Sequence, residues 1–80
     1  MRLNPKFAWA HYDLGCLDAL EGKPGAAFRN LNRAIDYGFN DASYLLQDSD
    51  FQTIREDSRW KMILDRIEQP FAVARLKGIH

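Results

Sequence analysis

The run Glu21-Gly22-Lys23-Pro24 constrains this chain more than any other feature. Glycine reaches the left-handed conformation that ends a helix, and proline is well placed in the first turn of the next one. Apolar residues recur at helical spacing on both sides of the run. Upstream, Phe7, Ala10, Leu14 and Leu17 form a stripe, with Pro5 placed to open the helix. Downstream, Ala27, Phe28, Leu31, Ala34 and Ile35 form another. Arg29, Asn30, Asn32, Arg33 and Asp36 lie on the opposite side, and Gly38 stops the segment. A connection of about two residues folds such helices back antiparallel. The expected nucleus is a helical hairpin, and no alternating strand pattern competes with it.

The remainder reads as short helices. Asn40 or Asp41 can cap a helix through Tyr44, Leu45 and Leu46. Asp48-Ser49-Asp50 is a break and a further cap, and Phe51 and Ile54 supply about one turn of apolar contact. Asp57 or Ser58 starts a last helix with the stripe Trp60, Ile63, Leu64 and Ile67. Phe71 and Ala74 keep that register beyond Pro70, whose missing donor predicts a break near Glu68-Gln69 and a short helix to about Lys77. The fold class is all-α.

Eighty residues allow one domain with a marginal core. Cys16, the one cysteine, cannot staple that core and fits a reducing, cytoplasmic setting. Eleven basic residues balance eleven acidic ones, which argues against a nucleic-acid partner. No apolar run approaches the roughly 20 residues that cross a bilayer, and the N-terminus carries no signal-peptide pattern. Trp60, Lys61, Arg66, Phe71, Arg75 and Lys77 mix charge with aromatics, but Asp65, Glu68 and Pro70 favour helix packing over a membrane surface.

Candidate chemistry is sparse. His11, Asp13 and Asp18 form the one cluster of acid–base type. His11 and Asp18, seven apart, share a helix face, while Asp13 points elsewhere. Two ligands fall short of the three of a catalytic zinc site. Cys16 lies in an apolar helix with no base fixed beside it, the pattern of a buried structural thiol. Ser43, Ser49 and Ser58 occupy cap-like positions. Gly22-Lys23-Pro24-Gly25 lacks the spacing of a phosphate loop. No catalytic residue, metal or cofactor is expected.

Residues 11–34 carry a more specific pattern. His11-Tyr12-Asp13-Leu14-Gly15-Cys16-Leu17-Asp18, then Gly22, then Ala27-Phe28-Arg29-Asn30-Leu31 and Ala34 resemble a tetratricopeptide (TPR) repeat, a 34-residue helix–turn–helix unit. His11, Asp18 and Leu31 depart from that pattern's aromatics, and Phe39 stands where its proline would fall. Gly38-Phe39, Asp48-Ser49-Asp50-Phe51, Ile54-Arg55 and Asp57-Ser58-Arg59-Trp60 resemble the irregular tail that closes bacterial arrays of such repeats. The resemblance implies one domain over residues 1–80. It comprises a repeat at 7–37, a degenerate capping repeat at 41–67 and a C-terminal extension at 68–80, in all a fragment of a right-handed α-solenoid. Leu3-Asn4-Pro5 looks like the end of a preceding repeat.

The same resemblance implies that Gly15 and Ala27 are small because two backbones approach there. Leu14, Leu17, Leu31 and Ala34 would then fill the space between the helices, and Gly22 would relieve the turn. The first helix also carries Trp9, Tyr12, Cys16 and Leu20 on another side. A helix apolar on two sides needs two neighbours: the second helix and either a missing repeat, a second chain or a ligand segment. In TPR proteins the first helix lines a concave groove, so Lys6, Trp9, Tyr12, Cys16, Ala19 and Leu20 form the candidate binding surface. Trp9 and Tyr12 are anchor-type residues, unless Trp9 packs on the loop near Phe39. Lys6 is the one charge of this set, which departs from the clamp that holds partner carboxylates. The expected function is non-catalytic: protein or peptide binding, or self-association. The alternative is a purely structural cap of a longer array.

Overall fold

The computed structural model describes residues 3–67. The break near Glu68-Gln69 and the helix to Lys77 lie outside the described residues. Among the described residues every regular element is helical: α1 (Pro5–Leu20), α2 (Pro24–Asp36), α3 (Ala42–Gln47), a 3-10 segment (Ser49–Ile54) and α4 (58–67).

Local chemistry sets each boundary. The Asn4 side chain accepts from the Phe7 amide at 3.2 Å, and Pro5 occupies the first turn of α1. Gly22, at φ +76°, ends α1 in a Schellman turn, with the Gly22 amide donating to the Ala19 carbonyl (3.1 Å) and the Lys23 amide to that of Asp18 (2.8 Å). The end of α2 repeats this geometry, where Gly38 donates to Ile35 and Phe39 to Ala34, both at 2.9 Å. Asp41 accepts from the Tyr44 amide (2.9 Å) to start α3, and Asp48 accepts from that of Asp50 (3.0 Å) to start the 3-10 segment. Asp57 starts α4 by accepting from the Arg59 amide at 2.9 Å. Hydrogen bonds from the Arg59 guanidinium and amide hold the Asp57 carboxyl down to about 2.

α1 and α2 lie antiparallel. The Phe7 ring meets Tyr37 edge-on, His11 pairs with Asn30, and Gly15 faces Ala27 and Leu31. A Cβ on Gly15 would lie 3.3 Å from the Ala27 carbonyl oxygen and 3.4 Å from Leu31 Cγ, so a side chain there would crowd the α2 backbone. α4 runs alongside α2 in the same direction. At one end the Arg59 guanidinium stacks 4.9 Å from the Phe28 ring centre. At the other, Arg66 donates to Asn32 Oδ1 (2.7 Å) and Asp36 Oδ1 (2.8 Å). Tyr12, Leu31, Leu45, Phe51 and Ile63 are the largest fully buried side chains, so every segment contributes to one core.

One expectation is corrected. Leu31 and Ala34 are buried, but Leu14 and Leu17 do not fill the space between the helices: they are 47% and 55% exposed. The buried face of α1 is Ala8, Tyr12, Gly15, Cys16 and Ala19. Gly15 and Ala27 bring the helices too close for a leucine between them, and a helix turns its neighbours Leu14 and Leu17 outward. Two substitutions separate these faces in denaturant melts. Gly15→Val is expected to destabilise by about 1–3 kcal/mol through overpacking, whereas Leu14→Gln changes stability by about 0.5 kcal/mol or less.

Candidate functional site

The six residues of the candidate groove divide between core and surface. Tyr12, Cys16 and Ala19 are buried, Lys6 and Leu20 are exposed, and Trp9 is 42% exposed. The chain's own downstream segment covers this side of α1. Tyr12 sits between the rings of Trp9, Phe39, Tyr44 and Phe51, with centroids 5.0–5.5 Å away. Trp9 itself packs edge-on against Phe39 (5.6 Å) and Tyr44 (5.2 Å). An aromatic cluster of this kind adds edge-to-face attraction to the area it buries.

Asp48 organises the polar side of the cluster. Its carboxylate accepts from the Tyr12 hydroxyl at 2.6 Å, from the Cys16 thiol at 3.7 Å and from the Asp50 amide at 3.0 Å. One side chain therefore caps the 3-10 segment and ties it to α1. Thr53 adds a 3.5 Å hydrogen bond to the Ala19 carbonyl. Arg55 donates to the carbonyls of Leu46 (2.7 Å) and Asp48 (2.9 Å), closing the end of α3 from a distance. Sequence reasoning placed Asp48 at a break and a cap, without its ties to α1. Its partners lie 32 and 36 residues away, and no local pattern reports such a pairing.

Burial pushes the Cys16 thiol up to about 12, reinforced by the charges of Asp48 and Asp50. Burial, together with the Asp48 hydrogen bond, likewise raises the Tyr12 phenol. Both groups stay protonated at neutral pH, so neither is a ready nucleophile. Ligand-type atoms of Cys16, Asp48 and Asp50 lie within 4.8 Å of one another. A cation there would have to strip the thiol proton and displace the Tyr12 hydrogen bond.

The His11, Asp13 and Asp18 cluster separates as its spacing suggests. Asn30 donates to Asp18 (2.7 Å) and accepts from His11 Nδ1 (3.2 Å), linking the two across to α2, while Asp13 is exposed. His11 also stacks on Tyr37, so its role here is packing. No described helix is long and apolar enough to cross a membrane.

What remains open is the outer face of α1. Ala10, Leu14 and Leu17, spaced i, i+4 and i+7, point to solvent, flanked by Phe7 and by Leu20 at 63% exposure. No other described segment covers this face.

Two outcomes check the buried cluster. Tyr12→Phe leaves Asp48 without its closest donor and is expected to cost about 1–3 kcal/mol in denaturant melts. The pH dependence follows from the raised groups. An unfolded chain releases the Cys16 and Tyr12 protons from their ordinary values of 9.0 and 10.0, while the folded chain holds the thiol proton to about 12 and the phenol proton beyond its ordinary value. The stability these two groups contribute is therefore complete below pH 9.0 and is lost as pH rises above it. The denaturant midpoint should decline with pH in that range, and less steeply in Tyr12→Phe. Compared with family models, curated proteins and solved structures, the chain matches none.

Proposed function

We propose that this chain is a non-catalytic protein–protein interaction module of tetratricopeptide type that engages its partner through the outer face of α1. The supporting observation is the open stripe Ala10, Leu14, Leu17 and Leu20 on a helix whose other face is already buried by α2 and the downstream segment. Isolated exposed leucines are ordinary, but an apolar row along one helix face marks a contact surface. The pattern in residues 11–34 is a second support, since such hairpins stack face to face. The lone buried Cys16 fits a reducing, cytoplasmic setting.

A purely structural cap is the second reading. In its favour, Phe39, Tyr44 and Phe51 pack on Tyr12 at the inner side of α1, as a segment that ends a stack would. The two readings differ in what meets the outer face: a separate molecule, or neighbouring helices of the same scaffold.

A photo-crosslinking residue at position 17, in cells that express the chain, tests the proposal. Intermolecular adducts are expected at position 17, not at Arg29 on the polar face of α2, and should disappear in Leu14→Glu. Equal labelling at both positions, or none, contradicts it.

A further inference from the structure

We infer that residues 70–77 of this chain dock in cis into the groove between Ile67 and Trp9, with Phe71 in the groove and Arg75 at Asp41. The inference concerns a different surface from the outer face of α1 and stands apart from the interaction reading, which position 17 tests.

The groove lies at the N-terminal end of α1. Leu3, Phe39 and Asn40 border its whole length. A hollow of about 220 Å³ beside Ile35 and Ile67 continues into one of about 420 Å³ beside Trp9, Tyr37 and Asp41. The floor is apolar, with Phe39, Ile35 and Ile67 buried. The rim is apolar and open: Leu3 is 77% exposed, and Trp9 keeps part of its ring uncovered. Its wall is held in place. The Asn4 amide donates to the Tyr37 carbonyl at 2.9 Å, and Leu3 sits on Gly38, where a Cβ would meet Leu3 Cδ2 at 2.9 Å. A hollow of this size and lining suits a few apolar side chains.

The chain itself supplies the occupant. Ile67, on the rim of the groove, is the last described residue. Pro70 follows three residues later and cannot continue α4 without removing a backbone donor, which turns the chain off that axis. Phe71 lies four residues past Ile67, about 6 Å along if helical and up to about 14 Å if extended. Ala72, Val73 and Ala74 keep the stretch apolar, and Arg75 comes next. Between Gln69 and His80 the charged side chains are Arg75 and Lys77, both basic. Residues 36–50 carry Asp36, Asp41, Asp48 and Asp50 and no basic residue. Asp36 is paired with Arg66, and Asp48 holds Tyr12. Asp41, at the lip farthest from Ile67, is exposed and caps α3 through one oxygen. Apolar and basic residues thus follow Ile67 in the order in which the apolar groove and its acidic lip do. A tether of a few residues gives Phe71 an effective concentration on the order of 1 mM at the groove. A groove too shallow for a free peptide still holds its own tail.

Nuclear Overhauser contacts in the full chain read this docking directly. Phe71 ring protons should meet the Leu3 methyls or the Trp9 indole. The contacts should survive when labelled chain is diluted in excess unlabelled chain, as an intramolecular pair must. Phe71→Ser should lower the docking equilibrium about tenfold and move the Leu3 and Asn40 amide signals. Asp41→Asn, which keeps a capping side chain, and Arg75→Gln should each lower it about threefold and move the same signals part of the way. Unchanged amide signals of Leu31 and Ala34, buried in α2, check that each variant folds. Three results overturn the inference: Phe71 contacts neither Leu3 nor Trp9, the groove signals ignore all three variants, or the contacts pass only between labelled and unlabelled chains. The last would put a second copy's tail in the groove. If Phe71→Ser fails to fold, the contacts in the unaltered chain still decide.

Discussion

The structure depends on how one buried phenol is held. Tyr12 projects from the middle of α1, and its ring contacts Phe39, Tyr44 and Phe51, which belong to three successive downstream segments. Its hydroxyl donates to Asp48 at 2.6 Å, so the ring enters the core with its polar atom satisfied. Asp48 also caps the 3-10 segment that carries Phe51 into the core. Short elements such as α3 have little helical stability of their own, and packing supplies what propensity does not. Without Tyr12 the segment after Gly38 would lose both its apolar anchor on α1 and the hydrogen bond that orients it.

This arrangement makes α1 asymmetric in use although it is apolar on both sides. The inner face is small and aromatic, with Ala8, Gly15 and Ala19 allowing close approach and Tyr12 filling the space beyond. The outer face is leucine-rich and open. In a domain this small, exposed leucines along a central helix forgo burial that the core would gain from.

Much of the fold was legible before any coordinates. The stripe of α2, both glycine stops, the start of α2 at Pro24 and the caps at Asp41 and Asp48 follow from local chemistry acting over a few residues. The burial of Trp60, Ile63 and Ile67 follows from the same periodicity. The face of α1 was harder. Phe7, Ala10, Leu14 and Leu17 compete there with Ala8, Tyr12, Gly15, Cys16 and Ala19, and both sets have helical spacing. The small residues interleaved with Tyr12 carried the deciding signal, because close packing favours them over leucine. Tyr12, Cys16 and Ala19 belong to the candidate groove only as long as the downstream segment is left out, and that segment's return depends on a contact spanning 36 residues.

The central claim is that the segment from Phe39 to Trp60 belongs to the same cooperative core as the hairpin and occupies the inner side of α1. Native-state amide hydrogen exchange tests this most directly. If the claim holds, the amides of Leu45 and Phe51, which donate to the carbonyls of Asp41 and Asp48, exchange with the same opening free energy as the buried Leu31 at the heart of α2. Much faster exchange at Leu45 and Phe51, with Leu31 still protected, would show a separable tail and an inner face of α1 open to a ligand.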